Sequence, residues 1–260
     1  MTSRMPVRFA YFLLVALVLL FLIVPVLIIV PMSFSDARFL TFPPRAYSFR
    51  WYEAFFGNPA WLQAARTSLT IAVAATLVAT PLGVLASYAI NASGARVARY
   101  ARTVLLLPLM VPVIIVAIGV FFIYARIGLV TTLPGLILAN VMLGLPYVVV
   151  SVTAGLADFD PAQELVARSL GMNRLRAFMT VTLPQIRASV LSGALFVFIS
   201  AIDETIVALF ISGGANQTLT KRMFTALRDE IDPTIASIST MMTAASFILA
   251  MIVMAARRKR

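Results

Sequence analysis

Residues 158–184, DFDPAQELVARSLGMNRLRAFMTVTLP, form the longest polar stretch that the sequence places on the inner side of a membrane. Asp160 followed by Pro161 is typical of a helix start, because Asp caps free amides and Pro fits the first helical position. Gly171 allows the chain to turn, and Asn173 can cap a second helical segment that runs towards Leu183. The stretch therefore predicts two short helices joined by a turn.

The first of these helices is amphipathic. Glu164 and Arg168 are four residues apart with the acid first, which favours a short surface helix. The other face carries four small or apolar residues, Leu165, Val166, Ser169 and Leu170. An apolar stripe beside charges suits the groove of a partner protein. The alternative is an ordinary amphipathic loop that lies on the membrane.

The rest of the chain is mostly apolar. Of its 260 residues, 61% are hydrophobic and 12% are charged, and the apolar residues form runs long enough to cross a hydrocarbon core of about 30 Å. Six spans are predicted, at about 9–31, 68–90, 103–125, 133–156, 188–211 and 234–256. Residues 1–8 precede the first span, and a basic tail, 257–260, follows the last. Met32 to Thr67 reads as a long connection in which WYEAFF, residues 51–56, forms a short interfacial helix.

Basic residues indicate the orientation of these spans. An even number of spans puts both termini on one side, and that side carries 13 of the 21 Lys and Arg residues. The excess predicts that both termini and the loop 158–187 are cytoplasmic. Because the Lys and Arg residues sit between apolar runs, the net charge of +11 does not indicate nucleic-acid binding.

Several kinds of chemistry are excluded by composition. The chain has no Cys and no His, which removes disulfides, most zinc sites, histidine-ligated haem and His-based catalytic triads. No catalytic or metal-ligating residues are predicted. Neither lysine, Lys221 or Lys259, lies in a Gly-rich phosphate loop, so no cofactor is expected in this chain and any ATP must be bound elsewhere.

Two acids interrupt the fifth predicted span. Asp203 would lie about 22 Å along a helix that starts near Ala188, where a carboxylate costs at least about 2.5 kcal/mol unless it meets water or a partner. Ser200 and Asp203 share a helix face, so Asp203 is the better candidate for lining a solute pathway, with Glu204 beside it. The alternatives are an ion pair or hydrogen bond to another helix or subunit, or a helix that ends earlier. Pro108, Pro112 and Pro146 are either hinges or plain bends.

The inner loop resembles the signature of binding-protein-dependent ABC importer permeases: Glu-Ala-Ala, three residues, Gly, then Leu-Pro about a dozen residues later. LVARSLG, which ends at Gly171, and Leu183-Pro184 match this pattern. Leu165 stands where the family usually has Glu, with Glu164 one residue early. Val166 replaces the first Ala, and Ala167 keeps the second. FPPRAYSFRWYEAFF (42–56), IDETIVALFISG (202–213) and LRDEIDPTIASIST (227–240) resemble the polyamine-type (spermidine/putrescine) permeases.

The resemblance implies an all-α integral membrane protein of the bacterial inner membrane, with the six-helix type I, MetI-like permease fold and a cytoplasmic coupling loop at 158–187. It implies a non-enzymatic subunit that works with two ATP-binding subunits, which hold ATP and Mg²⁺, a second permease subunit and a periplasmic solute-binding protein. Coupling to the ATPase is then assigned to Glu164, Leu165, Val166, Ala167, Arg168, Gly171, Leu183 and Pro184. The expected solute is a polyamine.

Other functions stay open at this point. The same kind of permease could carry another small solute, such as an amino-acid-like compound, an opine or a metal complex. An ion-coupled carrier or channel would use Asp203 and Glu204 as coupling acids, but the chain shows no convincing internal repeat. An intramembrane enzyme is disfavoured because the chain offers so few catalytic side chains.

Overall fold

The computed structural model of the chain describes residues 4–93, 96–229 and 232–258. Within these residues the backbone is almost entirely helical. The helices, in chain order, are α1 (Arg4–Ser33), α2 (Arg50–Gly57), α3 (Pro59–Ala92), α4 (Arg96–Met110), α5 (Val113–Ile127), α6 (Leu133–Ala157), α7 (Pro161–Ser169), α8 (Arg174–Ala177), α9 (Leu183–Asp203), α10 (Ile206–Ile211), α11 (Leu219–Asp229) and α12 (Thr234–Arg258). A π-helical turn, Phe178–Thr182, joins α8 to α9.

Five of these helices are long and apolar enough to cross a membrane: α1, α3, α6, the continuous run from α8 to α9, and α12. The pair α4 and α5 adds a sixth crossing if the two count as one span. Their axes differ by 103°, so the span predicted at 103–125, with Pro108 and Pro112 as hinges or bends, is two helices separated by a sharp break. Pro112 causes the break: it has no N–H to continue the helix, and its backbone is extended, with ψ 127°.

Local capping explains a second difference from the predicted spans. α3 begins at Pro59, well before the predicted start at Ser68, because the Asn58 side chain accepts a hydrogen bond of 2.9 Å from the Ala60 amide. The connection after α1 is therefore shorter than predicted. The short helix expected from WYEAFF is confirmed as α2.

The chain divides into two compact units. One comprises the chain up to Leu62 together with Thr225–Ser246, and the other comprises Gln63–Phe224 and the residues from Phe247 onward. In the first unit, the Ser33 and Tyr52 hydroxyls lie 2.8 Å apart, and the rings of Phe34 and Tyr52 lie 5.2 Å apart. These contacts join the end of α1 to α2.

The core of the second unit is the crossing of α3, α6 and α9. Val148 of α6 is fully buried between two glycines. A Cβ built on Gly83 of α3 would lie 2.6 Å from the Val148 side chain, and one built on Gly193 of α9 would lie 3.0 Å from its Cα. The helices approach this closely because small residues leave room for backbone, which is a common way to pack membrane helices.

Candidate functional site

The break between α9 and α10 lies where the sequence places its two acids. α9 ends at Asp203, and Glu204 has an extended backbone with ψ 115°. The Glu204 carboxylate then accepts hydrogen bonds from the Val207 amide at 2.7 Å and the Ala208 amide at 2.9 Å. A carboxylate at the start of a helix accepts hydrogen bonds from free backbone amides and is stabilised by the positive end of the helix dipole. The span predicted at 188–211 is therefore interrupted after Asp203, which agrees with the sequence alternative of a helix that ends earlier, and Glu204 caps α10, which begins at Ile206.

The far end of α10 is held by Lys221. Its ammonium donates hydrogen bonds to the carbonyls of Leu209, at 3.1 Å, and of Ser212. Burial lowers the pKa of Lys221 below its usual value. The neighbouring Thr220 hydroxyl donates to the Glu204 carbonyl at 2.8 Å. The first turn of α11 thus fixes both ends of α10, a role that the sequence did not indicate for Lys221.

An open cleft of about 810 Å³ borders this break. Pro108 and Val111 line it from the α4–α5 bend, and Tyr147 lines it from α6. Ser200, Asp203 and Glu204 line it from the opposite side, so the structure brings together all three residues that the sequence assigned to a solute pathway. Their contact with solute stays a prediction.

Asp203 and Glu204 are not equivalent in this cleft. Glu204 uses both carboxylate oxygens to cap α10. Asp203 is exposed, and its carboxylate has no hydrogen bond or ion pair with any part of the chain that the structure describes. Of the two acids, only Asp203 therefore presents a carboxylate to the cleft. The sequence alternative in which Asp203 pairs with another helix of this chain therefore has no support within the described residues.

Two aromatic rings stand on the wall of the same cleft. Tyr147 and Phe196 have their ring centroids 6.3 Å apart and are stacked. Aromatic faces attract ammonium groups. Neither residue could be selected from the sequence, because aromatics are common in membrane helices and only folding brings α6 and α9 side by side.

Residues 158–187, the predicted cytoplasmic loop, fold much as predicted. Asp160 caps α7 with a 2.9 Å bond from the Ala162 amide, and Asn173 caps α8 with a 2.8 Å bond from the Arg176 amide. Gly171 turns the chain with φ 94°, a conformation that glycine adopts without strain. Leu183 and Pro184 open α9 itself, so the end of the predicted loop belongs to a long helix.

α7 has one buried face and one exposed face. Leu165, Val166 and Leu170 are 57%, 59% and 80% exposed, and Arg168 is exposed beside them. Glu164 and Ala167 are buried. The short helix that the spacing of Glu164 and Arg168 favoured is present, but Glu164 does not lie on its surface, because its carboxylate points into the protein. The exposed apolar stripe predicted from the sequence is present.

Glu164 meets residues that the sequence gave no reason to single out. It accepts hydrogen bonds from the Tyr88 hydroxyl of α3 and, at 2.5 Å, from the Thr182 hydroxyl of the π-helical turn. Tyr88 lies 76 residues before Glu164. A contact between such distant positions leaves no local pattern, so nothing in the sequence alone could have identified it.

Comparison with known proteins agrees with this architecture. A family model described as "binding-protein-dependent transport system inner membrane component" matches residues 79–259. The spermidine/putrescine transport system permease protein PotC of Haemophilus influenzae is 30% identical, over 92% of this chain and 93% of that protein. The putrescine transport system permease protein PotI of Escherichia coli K12 is 29% identical, over 89% and 85%.

Solved structures are similar at lower identity. A chain of a bacterial ABC transporter involved in the import of the acidic polysaccharide alginate has a TM-score of 0.78 and 14% identity, and the match covers 98% of this chain and 97% of that one. A chain of an amino acid ABC transporter has a TM-score of 0.61 and 17% identity, and the match covers 81% and 98%. This likeness shows the fold, and the permease fold expected from the sequence is confirmed.

Proposed function

The chain belongs to the family of binding-protein-dependent transport system inner membrane components. We propose that it carries polyamines across the inner membrane. It is a multi-pass permease of an ABC importer. In the proposed cycle, a periplasmic binding protein delivers the solute, ATP hydrolysis on separate subunits moves the helices, and no bond of the solute is broken.

The main observation in favour of a cationic solute is the unpaired carboxylate of Asp203 in the open cleft. An ammonium group near it gains Coulomb energy, and the rings of Tyr147 and Phe196 offer further favourable contacts. The relatives named for spermidine and putrescine agree with a polyamine. The fold alone does not indicate the charge of the solute, since a chain of similar fold belongs to a transporter that imports an acidic polysaccharide.

The assembly is inferred from the family and from α7. We infer that two ATP-binding subunits, which hold ATP and Mg²⁺, dock on the coupling loops of this chain and of a second permease subunit. Both termini and residues 158–187 then lie in the cytoplasm. The exposed apolar stripe on α7 supports this arrangement, because an apolar helix face beside charges suits a groove on a partner.

Reconstitution tests the proposed function directly. The chain would be placed in proteoliposomes with its ATPase, sister permease and binding protein, and uptake of labelled putrescine and spermidine would be measured with and without ATP. We expect uptake that needs both ATP and the binding protein. Gradient-driven uptake by this chain alone would instead identify an ion-coupled carrier, and ATP-driven uptake of only uncharged or anionic solutes would refute the polyamine assignment.

Charges placed on the α7 stripe should prevent docking of the ATPase. The double variant Leu165→Asp, Leu170→Asp removes two apolar anchors worth together about 3 kcal/mol, or roughly a hundredfold in affinity. Co-purification of the ATPase with the permease measures the loss. The matched control, Leu165→Met, Leu170→Met, keeps the face apolar and should retain the ATPase. Equal retention by the Asp and Met variants would show that this face makes no contact with the ATPase.

A further inference from the structure

Glu164 joins three elements, α7, α3 and the turn before α9, and a second bond, from the Gln185 side chain of α9 to the Gln163 side chain, also joins α7 to α9. Glu164 lies on α7, it is 9% exposed, and each of its two carboxylate oxygens accepts a hydrogen bond from a hydroxyl. The Tyr88 hydroxyl comes from α3, and the Thr182 hydroxyl, at 2.5 Å, comes from the turn that leads into α9. Hydrogen bonds to a charged acceptor are roughly twice as strong as neutral ones.

Tyr88 is itself held from two further sides. The Arg174 guanidinium of α8 donates from Nε to the Tyr88 hydroxyl at 3.3 Å and lies over the ring, 5.2 Å from its centroid. The ring of Phe178, in the π-helical turn, lies 4.5 Å from the Tyr88 ring. Tyr88, near the end of α3, therefore contacts α7, α8 and the π-helical turn of the loop 158–187.

The exposed face of α7 carries no acidic side chain, because the only acid of this helix, Glu164, is buried. Both oxygens of Glu164 are occupied inside the protein, and the next residue, Leu165, is the one that faces outward. A partner that docks on α7 therefore meets an apolar side chain where an ion pair could otherwise form.

The inner contact leads along one helix to the cleft. Thr182 immediately precedes α9, and α9 runs for 21 residues to Asp203. At 1.5 Å per residue this is a rod of about 30 Å, with Glu164 at one end and the exposed carboxylate at the other. π-helical turns such as Phe178–Thr182 occur frequently at functional sites.

We propose that Glu164 is a positioning residue that links α7 to α3 and α9, so that displacement of α7 by the ATPase moves the cleft end of α9. The ATPase itself contacts the apolar face around Leu165. This linkage rests on the proposed function, since it needs an ATPase docked on α7. The linkage adds to the proposed function a path by which displacement of α7 reaches Asp203.

Thr182→Val provides a test that preserves shape, because Val replaces the hydroxyl with a methyl group. The measurement uses the complete complex in proteoliposomes and records solute taken up per ATP hydrolysed. We expect that ratio to fall roughly fivefold to tenfold while the ATPase still co-purifies and hydrolyses ATP. Thr182→Ser restores the donor and should restore the ratio. Thr180→Val, in the same turn, removes a hydroxyl that bonds only the Arg176 carbonyl and the Met172 sulfur and should leave the ratio unchanged.

Tyr88→Phe gives an independent test if Thr182→Val yields too little folded protein. It removes the other hydroxyl donor to Glu164 and should lower the same ratio. An unchanged ratio in both variants, or a fall in uptake that follows only the amount of folded or ATPase-bound permease, would overturn the linkage. Absence of ATP-driven uptake in the unmodified complex would instead refute the proposed function, so the two failures are distinguishable.

Discussion

Asp203→Asn is expected to lower ATP-driven uptake of a polyamine by about tenfold or more while leaving ATP hydrolysis and assembly intact. A unit charge pair at 4 Å near a protein surface is worth about 4 kcal/mol at an effective dielectric constant of 20. The cleft is open to water, so screening reduces this to about 1.4 kcal/mol or slightly more, which is the stated factor. Asn keeps the shape of the side chain, and the Thr205 hydroxyl still has the carbonyl of residue 203 as its acceptor, at 3.2 Å.

Initial rates of labelled spermidine uptake into proteoliposomes measure this effect. Asp203→Glu is the matched control, because it keeps the negative charge and moves it by one methylene; it should retain most of the uptake. An unchanged rate in Asp203→Asn would remove this carboxylate from the solute pathway. A faster rate would show that the Asp203 carboxylate opposes movement of spermidine and would refute its proposed role in attracting the cation.

Gly83→Leu is expected to prevent the second unit from folding, with a loss of about 3 kcal/mol or more. A Cβ alone at residue 83 would lie 2.6 Å from two atoms of Val148, which is fully buried. Interiors are close-packed, so the Leu side chain can be accommodated only if α3 separates from α6. The hydrogen bond of 3.4 Å from the Ser87 hydroxyl to the Val149 carbonyl would be lost with that separation.

Size-exclusion profiles and thermal unfolding of the detergent-extracted chain measure the folding loss. Gly119→Leu is the control, because no atom of the described residues lies within 4 Å of a Cβ built there. Equal stability of the Leu variants at 83 and 119 would contradict the packing argument.

Features set by neighbouring residues were predictable from the sequence. Asp160, Asn173 and Gly171 act within three or so residues of themselves, so their residue types and spacing were enough to place the caps and the turn. The bent α4–α5 pair is a partial exception. Pro112 was visible as a disturbance of the third span, but the 103° angle depends on how α4 and α5 pack against α6 and α10.

The sequence by itself determined that the chain is a helical membrane protein with an amphipathic loop between its fourth and fifth predicted spans, and it named the cleft residues Ser200, Asp203 and Glu204. Hydrophobic run length and helix capping are local properties, so a linear pattern reports them. Only the tertiary structure decided that Asp203 shares a cleft with Tyr147 of α6, and that Glu164 turns inward to Tyr88. The direction of a charged side chain depends on which partners packing brings within hydrogen-bond distance, and those partners come from distant parts of the chain.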